Sequence, residues 1–422
     1  MNEYFLSLKD KYTINDALME QIEQAYQKVQ PYWQPVSNHT WTAQIKILNA
    51  FQKHQTSDFH LNGSTGYGYG DTGRDILELV WADIFRAEKA LVRSNIASGT
   101  HALALCLFGN LLPGDTFVSI SGMPYDTLQT IIGHHGEPGT LSELGIVHKV
   151  VELKDDEFDF AGIKAAVTAQ TKMVCIQRSR GYSWRKSLSI AQIAEAIAVV
   201  KAINPNIICF VDNCYGEFVE LQEPLEVGAD LIAGSLIKNP GGGLAPRGGY
   251  VAGRADLVDR AAIRLTAPGI AEDVGSALDF NRLAFQGLFM APLIVEQAMK
   301  GAIFAAQLLE QLGYKVSPAA DAPRTDIIQA IQLDTPENVR KFCHGIQKAS
   351  PLDAHVTPYD AQLPGYDDPV IMAGGTFVQG SSIELSIDGP MREPYIVYMQ
   401  GGLSVAHVIA GVVAAVGQMT QA

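Results

Sequence analysis

Two residues in this sequence close neighbouring apolar runs with opposite charges. The run Leu231–Ala233 reads as a buried strand; Gly234 and Ser235 end it, and Lys238 follows just before Pro240-Gly241-Gly242-Gly243. About twenty residues upstream, Ile207–Val211 reads as a second buried strand that ends in Asp212-Asn213. A lysine at one strand end and an acid at the next is what pyridoxal 5'-phosphate chemistry needs. The amine forms a Schiff base, and the acid keeps the pyridine nitrogen protonated so that the ring draws electrons. A solvated lysine on a surface loop is the plain alternative. The three consecutive glycines cost conformational entropy, and such loops let backbone approach a ligand or partner closely.

Three further stretches carry matching chemistry. Ser98-Gly99-Thr100 opens an apolar helical run over 102–112. Free amide N–H groups and the positive end of a helix dipole make such an opening a phosphate cup, or simply an N-cap. Tyr125 follows a strand over 116–120 and could stack on a flat cofactor or merely pack. Arg178, Arg180 and Arg185 stand with Tyr182 and Trp184 just after the strand Met173–Gln177. They read as anion and ring recognition, or as a solvated basic loop. Near the C-terminus, Arg392 is a candidate for bidentate capture of a substrate carboxylate; a surface arginine is the alternative.

The elements that must position these residues follow from periodicity. Strands and helices alternate over 100–255, which implies a mostly parallel sheet with helices on both faces. Ligands of such folds sit at the carboxyl ends of the strands, where Ser98, Tyr125, Arg178, Asp212 and Lys238 all fall. Helices are expected over Asp75–Ala90 and Ala291–Leu312, and strands over Asp326–Leu333, Val370–Phe377 and Ile383–Ile387, the last one followed by a loop holding Arg392 and then a final helix. The division expected is an N-terminal helical arm over 1–57, a large cofactor-binding domain over 58–289 and a small α+β domain over 290–422. Within the arm, Pro31 and Pro35 are expected to separate one helix (Ile14–Val29) from another (Trp41–Phe51). Gly68-x-Gly70-x-x-Gly73 matches the dinucleotide fingerprint literally, but no buried strand precedes it. An ordered glycine–tyrosine loop with an exposed Arg74 fits better.

Composition sets outer limits. With 422 residues, 47% of them apolar and 18% charged, a sizeable core forms in one large or two domains. A net charge of −14 argues against nucleic-acid or anionic-membrane partners. The five cysteines form no CxxC pair and mostly sit in apolar runs. An odd count in a large chain suggests a reducing setting, and Met1-Asn2-Glu3-Tyr4 shows no basic-then-apolar signal, so the expected location is the cytoplasm. Leu403–Met419 is rich in Val and Ala, but its clean apolar run is too short to span a bilayer; a buried helix is expected. His134-His135 is poor geometry for one metal, and no HExxH, Cys/His, GxSxG or P-loop spacing occurs. No metal site is expected.

Asp212-Asn213-Cys214-Tyr215, Ser235-x-x-Lys238, Ser98-Gly99-Thr100 and the Tyr69…Arg74 loop together resemble the fold-type I pyridoxal phosphate enzymes of the cystathionine and methionine gamma-lyase class. Gly234–Gly253 and Gly374–Gly402 resemble more closely the aluminium-resistance or methionine gamma-lyase-like proteins, over essentially the whole chain. The resemblance implies a PLP-dependent transferase-like fold and a carbon–sulfur lyase of cystathionine-, methionine- or cysteine-like amino acids, releasing thiol, ammonia and 2-oxo acid. It implies that Lys238 carries the cofactor, Asp212 pairs with the pyridine nitrogen, and Ser98, Gly99, Thr100 and Ser235 hold the phosphate. Tyr125 would stack on the ring and protonate the leaving thiolate. Tyr69 and Arg74 would reach a neighbouring subunit's phosphate, in a homodimer or homotetramer with shared active sites. The sequence departs from the lyases in two places: Ile237 stands where they carry Thr, and Glu384-Leu385-Ser386 stands where they carry Arg-Leu-Ser. An aminotransferase, a racemase or a non-turning-over PLP-binding protein in metal stress would use the same lysine and acid. The freed Lys238 amine is expected to remove the α-proton, its pKa lowered by burial and a nearby cationic imine.

Overall fold

The computed structural model describes residues 3–134, 136–362 and 366–420; Met1, Asn2 and His135, which the sequence reading touched, lie outside them. The chain begins with α1 (Glu3–Tyr12), α2 (Asp16–Lys53), α3 (Thr72–Phe85), β1 (Lys89–Arg93), α4 (Gly99–Asn110), β2 (Thr116–Ser119), α5 (Asp126–Ile132) and β3 (Val147–Val150). It continues through α6 (Phe160–Ala166), β4 (Thr171–Gln177), α7 (Ile190–Ile203), β5 (Ile208–Asp212), β6 (Leu231–Ser235), β7 (Gly249–Gly253) and α8 (Ala255–Leu265). It ends with α9 (Phe280–Gln311), β8 (Lys315–Ser317), β9 (Gln329–Gln332), α10 (Pro336–Lys348), β10 (Val370–Ala373), β11 (Ser386–Pro390), β12 (Ile396–Gln400) and α11 (Val405–Thr420).

Two compact units result. One comprises Thr42–Gly181 with Ser187–Ala291, the other Met1–Trp41, Tyr182–Lys186 and Pro292–Ala422. The first holds a seven-stranded sheet in the order β1-β7-β6-β5-β4-β2-β3. β2, β3, β4, β5 and β6 run parallel, and β7 runs antiparallel to β6 and β1. Successive side chains of a strand face opposite sides. On β4 both Met173 and Cys175 on one side and Val174 and Ile176 on the other are buried, so both faces are covered. That is why these strands read as unbroken apolar runs. α4 and α8 close one face, with Leu103, Cys106, Leu107, Val258 and Ala262 packed on Phe210 and Leu231.

The second unit carries a five-stranded sheet, β10-β11-β12-β9-β8, antiparallel throughout. Ile387, Val397, Met399 and Ile331 share one core with Phe342 and Ile346 of α10 and Val412 and Val416 of α11. As expected, the last helix is a core element, buried along most of its length. α9 is the one helix among the described residues long and apolar enough to cross a membrane, and most of that stretch is buried within the protein.

Several local expectations are corrected. α2 runs unbroken through Pro31 and Pro35. Both prolines are exposed and lie four residues apart on one face, so the missing N–H bonds and the ring clashes fall on the solvent side, where a helix bends at least cost. The other face is anchored: Ile22, Ala25 and Val29 are buried, and Trp33 Nε1 donates to the Lys300 carbonyl at 3.1 Å. The helix expected over Asp75–Ala90 ends at Phe85, where Arg86 turns left-handed, and the apolar run beyond becomes β1. Near the C-terminus, Pro390 closes β11 and Ile396–Gln400 forms a further strand. Arg392 therefore sits in a hairpin turn and not ahead of the last helix. The clustered prolines and glycine around it mask the pairing in the sequence.

Candidate active site

β5 and β6 are parallel neighbours with Asp212 opposite Ala233. The strands therefore deliver Asp212 and, a few residues past the end of β6, Lys238 to the same edge of the sheet. The turn after Lys238 is tight. A Cβ on Gly241 would lie 1.7 Å from the Leu236 carbonyl oxygen, and one on Gly242 2.2 Å from that of Gly287. These glycines serve backbone-on-backbone packing within the protein, not approach to a ligand.

Lys238 is half-buried, and its Nζ stands 3.9 Å from the centroid of the Tyr215 ring. Burial pushes its amine down, but Cys214, Tyr215, Asp212 and Glu217 push it up and prevail, so the ammonium is favoured. The acidic surroundings outweigh desolvation in the chain by itself; the lowering expected from a cationic imine belongs to the cofactor-loaded site. Burial pushes the Asp212 carboxyl up, opposed by the Lys238 charge and by the Cys214 amide, which donates at 3.1 Å. An acid so placed gains from a cation delivered to it.

Beside this pair lies the start of α4. The Ser98 hydroxyl accepts from the His101 amide at 3.1 Å, so Ser98 is a true N-cap. The Gly99 and Thr100 amides belong to the first turn, where no intrahelical acceptor exists. A Cβ on Gly99 would stand 3.1 Å from Ser235 Cβ and 3.5 Å from Cys214 Sγ. That closeness brings the helix start, the end of β6 and the turn after Asp212 together. The Thr100 hydroxyl shares a 3.0 Å hydrogen bond with that of Thr127. Ile237 offers no hydroxyl; its amide donates to Ser235 Oγ at 3.3 Å.

Tyr125 precedes α5, and its amide donates to Gln177 Oε1 at 2.7 Å. Gln177 ends β4 directly opposite Asp212, so it ties Tyr125 to the same edge. The Tyr125 ring also approaches Gly181, where an added Cβ would meet Cδ2 at 3.4 Å.

The arginines are placed differently. Arg178 is wholly buried. Its guanidinium donates to Asn213 Oδ1 at 2.8 Å and Glu220 Oε2 at 2.9 Å, with Glu223 Oε2 at 3.4 Å. Arg74 is buried too, which corrects the exposed arginine read from the sequence. It donates to the Gly68 carbonyl at 2.9 Å and the Gly275 carbonyl at 3.0 Å, and pairs with Asp75 at 2.9 Å, pinning the glycine–tyrosine loop. Tyr69 on that loop is 68% exposed. A 3-10 turn over Asp58–Leu61 leads into the loop, in keeping with rejection of the dinucleotide reading. In the other unit, Arg392 is partly exposed, paired with Asp368 at 3.1 Å and donating to the Tyr182 carbonyl at 3.1 Å.

Glu217 and Thr127 are not singled out from sequence, and Tyr215 and Gln177 enter there only as a motif member and a strand end, with no role given to either. Glu217 and Tyr215 lie within the polar–aromatic run that follows Asp212, which was the available signal. No group of three His, Cys, Asp or Glu side chains among the described residues could hold a metal.

The family model described as methionine gamma-lyase matches residues 18–420 of the chain. The protein YnbB of Bacillus subtilis (strain 168) is 51% identical over 379 residues, 89% of this chain and 90% of its own. A carbon–sulfur lyase involved in aluminum resistance from Clostridium novyi NT superposes with a TM-score of 0.95 and 46% identity over 100% of both chains. The pyridoxal-5'-phosphate dependent protein YhfS of Escherichia coli shares the fold, with a TM-score of 0.61 and 19% identity over 90% of this chain and 95% of its own. The mostly parallel sheet with its separate antiparallel one is thus the PLP-dependent transferase-like fold, fold type I. Enzymes of the matching family use pyridoxal 5'-phosphate, and the residues present fit it. A half-buried amine, a half-buried acid that gains from a facing cation, and two helix-start amides without an intrahelical acceptor beside Ser235 and Thr100 match its aldehyde, its pyridine nitrogen and its phosphate.

Proposed function

We propose that this chain, which belongs to the methionine gamma-lyase family, is a pyridoxal phosphate-dependent carbon–sulfur lyase of sulfur-containing amino acids, releasing a thiol, ammonia and a 2-oxo acid. The observation that carries this reading is the delivery of Lys238 and Asp212 to one edge of the sheet by the neighbouring parallel strands β5 and β6, with the α4 start closing against Ser235. When bound, the cofactor supplies the electron sink that stabilises charge at the substrate's α-carbon. Lys238 Nζ is the group that accepts the α-proton once an incoming amine has taken its place. Asp212 holds positive charge at the pyridine nitrogen. The Gly99 and Thr100 amides, with the Thr100 and Ser235 hydroxyls, bind the phosphate as a helix start does. The Tyr125 ring stacks, and its hydroxyl delivers a proton to the departing sulfur.

Of the two arginines considered for the substrate carboxylate, Arg178 is committed to buried acids. Arg392, partly exposed with one carboxylate partner, is the one whose guanidinium can change partners. We further propose a homodimer or homotetramer in which Tyr69 reaches a neighbouring copy's site; its exposure on an arginine-pinned loop supports this. Five free, buried cysteines agree with a cytoplasmic setting.

The test is a screen of cystathionine, methionine and cysteine with the PLP-loaded protein. Thiol and 2-oxo acid released together, without an added amino acceptor, are expected. Product formation only with an added 2-oxo acid would mark an aminotransferase instead.

A further inference from the structure

Among the described residues no carboxylate stands at ion-pairing distance from Lys238; its amine lies over the face of the Tyr215 ring, 3.9 Å from Nζ to centroid. The backbone is bent to put that ring there. Tyr215 has φ +71° and Phe218 φ +62°, left-handed values that non-glycine residues rarely adopt. The turn is held from behind. The Gly216 amide donates to the Asn213 carbonyl at 3.0 Å, the Phe218 amide to Glu223 Oε1 at 2.9 Å, and Arg178 fixes Asn213 and Glu223. Strain maintained by a dedicated clamp marks a conformation that is needed.

The same turn carries Glu217, fully buried. Its Oε1 accepts from the Tyr250 hydroxyl at 2.8 Å. Its Oε2 is buried without a hydrogen-bond partner. Its main-chain carbonyl accepts from Asn239 Nδ2 at 2.9 Å, which ties the turn to the residue after Lys238. Gly234 makes room for it, since a Cβ there would lie 2.7 Å from Glu217 Oε1. Burial pushes this carboxyl up to about 8, aided by Glu223 and opposed by the Tyr250 hydrogen bond and the Lys238 charge.

We propose that Tyr215 and Glu217 form a holding site for the Lys238 ammonium, in the cofactor-free chain and again once the freed amine has taken up the α-proton. Both are positioning residues that act through Lys238, and the inference rests on the proposed cofactor chemistry at that lysine. Each turnover frees the amine and must take it back. The ring beneath it keeps the ammonium at one place, where otherwise a four-carbon chain would wander, and Glu217, two residues along the same turn, fixes that turn to Asn239 through its carbonyl. Asp212, Cys214, Tyr215 and Glu217 face the amine; Tyr250, Glu223 and Lys238 face the Glu217 carboxyl.

The test reads the amine itself. Reductive methylation of Lys238 in the cofactor-free full-length protein is followed against pH by peptide mass spectrometry. Removing the partners of an ammonium lowers its pKa, so Glu217→Gln is expected to speed methylation about tenfold at a fixed pH of about 9, where the wild-type carboxyl has given up its proton, and little near neutrality, where it keeps it. Tyr215→Leu is expected to speed it about threefold, while Tyr215→Phe, which keeps the ring, tracks the wild type. Glu217→Gln is isosteric and retains the Tyr250 bond, so it decides the matter even if Tyr215→Leu unfolds. Profiles of Glu217→Gln and Tyr215→Leu that superpose on the wild type overturn the holding site. PLP uptake by the wild type is measured separately. No uptake would end the lyase reading, and the methylation profiles would still decide this one.

Discussion

Two buried charged clusters sit back to back along the turn after β5, and they are built on opposite principles. Around Arg178 the cation meets carboxylates directly: Glu220, Glu223 and Asn213 take its two terminal nitrogens, leaving only Nε without a partner, and Glu223 also takes the Asn213 side-chain amide and the Phe218 amide. Around Lys238 the charges are left short. The ammonium lies over a ring, Asp212 accepts from the Cys214 amide, and one Glu217 oxygen has no partner. A satisfied buried ion pair fixes structure and resists change, whereas unanswered buried charges favour arrival of a ligand that answers them. The difference teaches which of two buried cations is machinery and which is scaffold.

The contrast can be broken experimentally. The largest effect expected is at the answered cluster. Glu223→Ala leaves the Arg178 charge less compensated in the interior and is expected to cost about 3–5 kcal/mol of stability, read by chemical denaturation of the cofactor-free protein. A loss below about 1 kcal/mol would mean the cluster is not the scaffold described.

The pH dependence separates the clusters next. A carboxyl raised by burial is protonated in the folded chain at pH values where the unfolded chain has already released its proton. The unfolded state then binds fewer protons, so stability falls as pH rises from the ordinary glutamate range to about 8. Glu217→Gln removes that group. Its unfolding free energy, read by chemical denaturation, is expected to decline less than that of the wild type between pH 5 and pH 8, the difference amounting to a few kcal/mol by order of magnitude. Parallel curves for the two proteins would place Glu217 outside the enclosed site.

The smallest effect compares two serines of the phosphate cup. The Ser98 hydroxyl is spent on the His101 amide, so Ser98→Ala is expected to cost about 1 kcal/mol of stability and little PLP affinity. Ser235→Ala is expected to do the reverse, read by equilibrium dialysis against PLP. Equal loss of PLP affinity in both would contradict the capping role.

The sequence made the strand ends legible because a sheet buried on both faces leaves unbroken apolar runs, and polar residues that interrupt them stand out. The positions of Lys238 and Asp212 at strand ends and the mostly parallel character of the sheet are readable that way, while the order of its strands is not. Nor is long-range pairing. Arg178 and Arg74 look like ligand-binding arginines in a linear string, and only folding reveals the Glu220–Glu223 pair and the Gly68 and Gly275 carbonyls that occupy them. The left-handed turn at Tyr215 was equally hidden, since nothing in Asp-Asn-Cys-Tyr-Gly-Glu calls for a positive φ at tyrosine. Pro31 and Pro35 misled for a related reason: their cost depends on which face of α2 they occupy, and that is settled by what packs on the other side.

The central claim is that Lys238 is the residue that bonds covalently to the cofactor in a site completed by Asp212. Borohydride reduction of the PLP-loaded protein, followed by peptide mapping, tests it directly. The account predicts a phosphopyridoxyl group on Lys238 alone, absent from Lys238→Ala. A reduced cofactor on another lysine, or none retained by the wild type, would contradict it.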